Sequence, residues 1–169
     1  PILPTPTVGM VGIVEDLDRT VGLGLSAESP ELLVMGWPDA LSWGGSELVL
    51  MEQDALQGRP AEPNYAHTRA LHDLVLKHIR SGDIGMAHDA AEGGLLVALA
   101  ESAMAGGGGA SLHAPLSTQD AFREGPDLIL VGCTAEGAQA VTEAARSAGV
   151  PVRALGAVGG DHLTDGGEL

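Results

Sequence analysis

Aromatic side chains are almost missing from this chain. Trp37, Trp43, Tyr65 and Phe122 are the whole set among 169 residues. The core must therefore be built from small aliphatic side chains. Basic residues are scarce too: 8 against 23 acidic, for a net charge of −15, with Lys77 the single lysine. That argues against nucleic acid, which needs a basic patch to replace its counterions, and against an anionic membrane surface. One cysteine, Cys133, rules out an internal disulfide and fits a reducing compartment. No apolar run reaches the roughly 18 residues of a membrane span, and no charged n-region precedes an h-region. A cytoplasmic location is the expectation.

What is present reads as alternating short apolar runs and helical patterns. The length suits one domain, or one domain with an appendage, and a core of this size needs no disulfide or metal. "VGMVGIVED" (Val8–Asp16) reads as a strand, and Ser29-Pro30 then breaks the chain. "ELLVMGW" (Glu31–Trp37) is a short apolar run bounded by turn residues, hence a buried strand. "GGSELVLMEQDAL" opens on glycines and a serine and then shows helical spacing; "GRPAEP" is a linker. "NYAHTRALHDLVLKHIRSG" spaces Leu71, Leu74, Val75 and Ile79 on one helical face, ends on basic residues, and stops at Gly82. "IGMAH", "GASLHA", "DLILVGC" and "VPVRALGAV" read as strands. Leu95–Ala105 and "AEGAQAVTEAARSAG" read as helices, the first buried against the sheet with Glu101 and Ser102 as its only polar edge. The pattern predicts an α/β (α+β) fold: a mixed β-sheet of about four to five strands covered by helices. Both ends look cut, which suggests a fragment.

Familiar catalytic signatures fail on context. "GLGLSA" (Gly22–Ala27) matches a dinucleotide fingerprint, but no strand runs directly into it and Ser29-Pro30 forbids a following helix. No phosphate-loop lysine motif and no serine-centred nucleophile elbow exists. The histidines, at 67, 72, 78, 88, 113 and 162, form no pair three or four apart, so no helical metal pair arises. Cys133 ends an apolar strand, and nothing near it in sequence would lower its pKa.

The remaining candidate is "AHDAAEGGLLVALAESAMAGGGG". A strand delivers His88 and Asp89, and Glu92, Gly93 and Gly94 follow at the mouth of a helix. Unpaired N–H groups and a positive dipole end make such a mouth hospitable to a phosphate. Asp89, Glu92, Gly93 and Gly94 are the candidate nucleotide-binding residues of this turn. The plainer reading is a tight strand-to-helix turn, with Glu92 a first-turn acid that repels a bare phosphate. From the residues alone both stay open. "WGGSEL" (Trp43–Leu48) is a weaker copy, with Ser46 as the cap.

Taken together, "TPTVGMVGIVED", "GGSE", "AHDAAEGGLLVALAESAMAG" and "AGVPVRALGAVGGDHL" resemble, in order and approximate spacing, the C-terminal end of phosphoribosylformylglycinamidine synthase subunit II. That family belongs to the aminoimidazole ribonucleotide synthase superfamily. Its corresponding loop usually reads His-Asp-Val-Ser-(Asp/Glu)-Gly-Gly-Leu; here it runs from His88 to Leu95, with Ala91 in place of the serine.

The resemblance implies an aminoimidazole ribonucleotide synthase C-terminal-domain-like fold. It implies residues 1–30 as a trailing strand and linker from a preceding ATP-site domain, and residues 31–169 as a covering domain. The whole enzyme would use ATP, magnesium and glutamine-derived ammonia to convert formylglycinamide ribonucleotide to formylglycinamidine ribonucleotide. Its partners would be a glutamine amidotransferase subunit and a small bridging subunit. The family's catalytic histidine, ATP lysine and magnesium carboxylates lie upstream, so this chain by itself is expected to hold no catalytic residue, no metal and no cofactor. Its role would be to wall the second pseudo-symmetric cleft. The rival is a stand-alone nucleotide- or phosphate-binding domain that uses the His88–Leu95 turn. Val8–Val14, an apolar strand whose partners are missing, is expected to be disordered or to pair with a second copy of the chain.

Overall fold

Two unbroken apolar runs occupy the centre of the molecule. The computed structural model describes residues 7–37 and 41–165. In it, β1 (Glu31–Gly36) and β4 (Leu128–Cys133) pair antiparallel in the middle of a sheet. Successive side chains leave a strand on opposite faces. Leu32, Val34, Leu128 and Leu130 therefore enter one core, while Leu33, Met35, Ile129 and Val131 enter the other. This explains why these strands read as continuous rather than alternating.

Among the described residues the sheet has six strands, where about four to five were expected. Its order is β2 (Ile84–Asp89), β4, β1, β5 (Val152–Val158), β3 (Ala110–Leu112), β6 (Leu163–Thr164). All neighbours are antiparallel except β3 and β6. The extra strand, β6, is two residues long in a polar stretch, which leaves no hydrophobic signature to read.

Helices cover both faces. Between β1 and β2 come α1 (Glu47–Gln53) and α2 (Tyr65–Ser81). Asn64 caps α2 by accepting from the N–H groups of Ala66 and His67, and Gly82 ends it at φ +86°. α5 (Ala135–Ala148) begins at a Thr134 cap and ends at Gly149. With Leu71, Leu74, Val75, Val141 and Ala145, α2 and α5 close one core. α3 (Gly94–Gly106) closes the other with Leu95 and Leu99, each worth about 1.5–3 kcal/mol of burial. α4 (Thr118–Phe122), a five-residue helix too short to show a hydrophobic period, packs on α3.

The polar edge expected on α3 needs correction. Glu101 is exposed, but Ser102 is 0% exposed. Its hydroxyl donates to the Ala98 carbonyl at 2.8 Å, which satisfies it inside the core. Met104 is exposed as well.

The strand expected over Val8–Asp16 is absent. Residues 7–14 carry no regular structure, and the side chains of Val8, Met10, Val11, Ile13 and Val14 are exposed. A strand needs a partner row for its N–H and C=O groups. The outer side of β2 does not supply one here: Gly22 bridges to Met86, and its carbonyl accepts the Ala87 N–H at 3.1 Å. Leu17–Arg19 instead forms a 3-10 turn capped by Asp16.

"GLGLSA" has a packing role. It straps the end of α3: the Leu25 N–H donates to Ser102 O at 2.9 Å, and a side chain on Gly106 would overlap the Leu25 backbone. At the far end of the sheet, Trp37 stacks on His67 with ring centroids 4.0 Å apart. After α2, the Asp83 carboxylate accepts from Ser81 Oγ and meets His78 Nδ1 at 2.8 Å. The Ser81 bond, then the His78 bond, hold its pKa below the ordinary aspartate value. That increment of stability is complete above the unfolded-state pKa and is lost as pH falls through the lowered folded-state value.

Candidate functional site

The turn after β2 is shaped by glycine. Ala90 is buried and donates its N–H to Leu128 O at 3.0 Å, which ends the ladder. The chain then reverses, with the Gly94 N–H on Ala91 O at 3.1 Å. Gly93 and Gly94 lie at φ +78° and +75°, a region costly to residues with a Cβ. Space is also closed at Gly94: an added Cβ would come 2.7 Å from Ala121 O and 2.9 Å from Arg123 O.

The four candidate residues divide into two groups. Gly93 and Gly94 face inward, against α3 and the residues around α4. Asp89 and Glu92 point away: the Asp89 side chain is 72% exposed, and Glu92 is exposed. His88 lies between two carboxylates, with Nδ1 3.3 Å from Asp89 Oδ1 and Nε2 2.8 Å from Glu101 Oε2.

The residue that organises the turn is Glu124, which no sequence motif marks. α3 has no side-chain cap of its own. Instead Glu124 Oε1 accepts the Gly93 N–H at 2.8 Å. The same oxygen accepts the Glu47 N–H at 2.9 Å, at the start of α1. The two Gly-Gly turns singled out in the sequence thus meet on one carboxylate. Ser46 caps α1 as expected, accepting from Val49 N–H at 3.3 Å. A carboxylate beside two helix N-termini is favoured by both dipoles.

This arrangement decides what the turn can hold. The anion position at the mouth of α3 is taken by the chain's own carboxylate. A phosphate at the Gly93 N–H would have to displace Glu124. Among the described residues, no group of three or more His, Cys, Asp or Glu side chains is placed to hold a metal ion. The mouth of α3 thus already holds an anion supplied by the chain itself.

Cys133 is fully buried at the end of β4. Burial, then the nearby charges of Asp83 and Glu31, push its thiol up to about 12. The thiolate is the reactive form. The native chain should therefore resist a disulfide-exchange reagent at about pH 8, and the unfolded chain, with an ordinary thiol near 8.5, should react with one equivalent. Rapid labelling of the native chain would contradict this burial.

Residues 30–166 match the family model described as AIR synthase related protein, C-terminal domain. The chain belongs to that family. Its curated relatives include the phosphoribosylformylglycinamidine synthase subunit PurL of Anaeromyxobacter dehalogenans (strain 2CP-C), 39% identical over 99% of this chain and 24% of the relative. The same subunit from Moorella thermoacetica is 37% identical over 96% of this chain and 22% of the relative. The chain thus spans about a quarter of the length of the relatives it matches. Among solved structures, T. maritima PurL complexed with FGAR superposes with a TM-score of 0.70 at 19% identity, over 88% of this chain and 27% of that one. T. maritima PurL complexed with ATP gives 0.64 at 18% identity, over 88% and 25%. PurLQS from Thermotoga maritima gives 0.62 at 19%, over 88% and 25%. At these identities the superpositions speak to the fold, and the α/β expectation for this family is borne out. No helix among the described residues is long and apolar enough to cross a membrane.

Proposed function

We propose that this chain is the C-terminal part of a phosphoribosylformylglycinamidine synthase subunit. That enzyme would convert formylglycinamide ribonucleotide, ATP and glutamine-derived ammonia to formylglycinamidine ribonucleotide in the cytoplasm. The observation that carries the reading is the 39% identity to PurL over 99% of the chain. On this reading residues 31–169 wall the second cleft of the whole enzyme, and residues 1–30 lead in from a preceding ATP-site domain. ATP and magnesium act in the upstream domains. A glutamine amidotransferase subunit supplies the ammonia and a small subunit bridges it to the synthase, and in the isolated chain Val8–Val14 pairs with a second copy. The turn built from Asp89, Glu92, Gly93 and Gly94 supports that wall through its backbone shape, and Glu124 at the Gly93 N–H favours this over phosphate binding.

The test is reconstitution. The 169-residue chain should form no product from ATP, ammonia and formylglycinamide ribonucleotide. Mixed with a PurL subunit lacking the matching quarter, it should restore turnover. Turnover by the chain alone, or none from the mixture while intact PurL works, would refute the reading. Low-micromolar binding of ATP with magnesium to the chain alone, abolished by Glu92 or Asp89 substitutions, would favour the stand-alone nucleotide-binding domain.

A further inference from the structure

Residues 42–59, between β1 and α2, hydrogen-bond to the body of the molecule at one residue. Residues 42–59 close on themselves. Gly45 N–H donates to Gln57 O at 2.8 Å, and Ser42 Oγ donates to Arg59 O at 2.8 Å. Gly44 and Gly58 cross at the neck, where a Cβ on Gly58 would come 2.7 Å from Gly44 Cα. No residue of α1, which lies within this loop, is buried, and Met51 and Leu56 stand exposed.

Among the described residues, every hydrogen bond from 42–59 to the body ends on Glu124. Ser42 and Glu124 exchange backbone bonds at 2.9 and 3.1 Å, and the Glu47 N–H reaches Glu124 Oε1. The loop's ion pair, Arg59 with Glu62, stays local. On one side the stem is anchored by buried Leu41; on the other it leaves through Pro60 and Pro63, both exposed.

We infer that residues 42–59 are a rigid lid at the mouth of α3, with Glu124 as its latch. The loop is closed by its own bonds at the neck, its hydrogen bonds to the body run through Glu124 alone, and of its residues Ser46 is buried while Leu48, Val49 and Leu50 are half-buried, so it detaches as a unit before it melts. A sub-global opening of this kind costs less than unfolding the sheet. The carboxylate that holds the lid also holds the Gly93 N–H, which couples the lid to the glycine turn. The lid stands whether or not the chain comes from a ligase.

Amide-resolved hydrogen exchange on the whole 169-residue chain tests it. In the native chain the Ser42 and Glu47 amides should exchange at a common rate, about tenfold or more faster than the Gly45 and Leu50 amides within the loop. Glu124→Ala should speed Ser42 and Glu47 about tenfold further, with Gly45 and the β1 amides unchanged. The Ser42 amide is the telling one, because its acceptor is a backbone carbonyl that the substitution leaves in place. Glu124→Gln, which keeps an acceptor oxygen, should restore most of the protection. Gly45 and Leu50 exchanging together with Glu47 would mean the loop melts, and the lid fails. Ser42 and Glu47 exchanging as slowly as β1 would mean the loop never opens, and the lid fails equally. Both readouts come from the native chain, so they decide even if Glu124→Ala does not fold.

Discussion

Ala98→Asp lowers the melting temperature by on the order of 10 °C or leaves the chain unfolded. Ala98 is 2% exposed on the buried face of α3, beside Leu95 and Leu99. The buried residues of α3 around it, Gly94, Leu95, Leu99 and Ser102, offer a carboxylate no cationic partner. An unpaired buried charge costs several kcal/mol, roughly 3–5 when nothing compensates it. A chain this size loses about 2–4 °C per kcal/mol, and its whole stability is about 5–15 kcal/mol. Circular dichroism during heating measures the shift. An unchanged melting curve would put α3 on the surface and overturn this core.

Gly94→Val should cost nearly as much, for a different reason. The residue sits at φ +75°, and a β-branched side chain there bears both backbone strain and contact with the Ala121 and Arg123 carbonyls. Those atoms are backbone and cannot swing aside, so relief requires moving α4 and Glu124 with it. A loss of about 3 kcal/mol or more is expected from strain and overpacking together. Glu92→Gln is the control: its side chain is exposed and the change should stay within about 0.5 kcal/mol. Urea unfolding of the two variants separates shape from charge. If Glu92→Gln destabilises more than Gly94→Val, the turn works through its charge.

The sheet centre, α2, α3 and α5 are legible in the sequence because their signals are local. A continuous apolar run such as Leu128–Val131 needs burial on both faces, and capping residues mark the helix ends wherever they occur. Val8–Val14 has the side chains of a strand, but a strand is defined by its neighbour, and the neighbour is not in that segment. Ser102 resembles a surface residue because its hydroxyl is polar; the Ala98 carbonyl that satisfies it cannot be seen in composition. The two Gly-Gly turns are visible, and their meeting point is not. Glu124 lies 31 residues from Gly93 and 77 from Glu47. Nothing in the intervening sequence marks it among 23 acidic residues.

The shortage of aromatics has an optical consequence. The chain carries two tryptophans, and they report on different parts of it. Trp37 follows β1 and stacks on the His67 imidazole, so its emission follows the body of the fold. Trp43 lies at the neck of the 42–59 loop, two residues from the hydrogen bond between Gly45 and Gln57. With Trp37→Phe, the remaining indole becomes a native fluorophore for the lid, and its polarisation can be followed without attaching a dye.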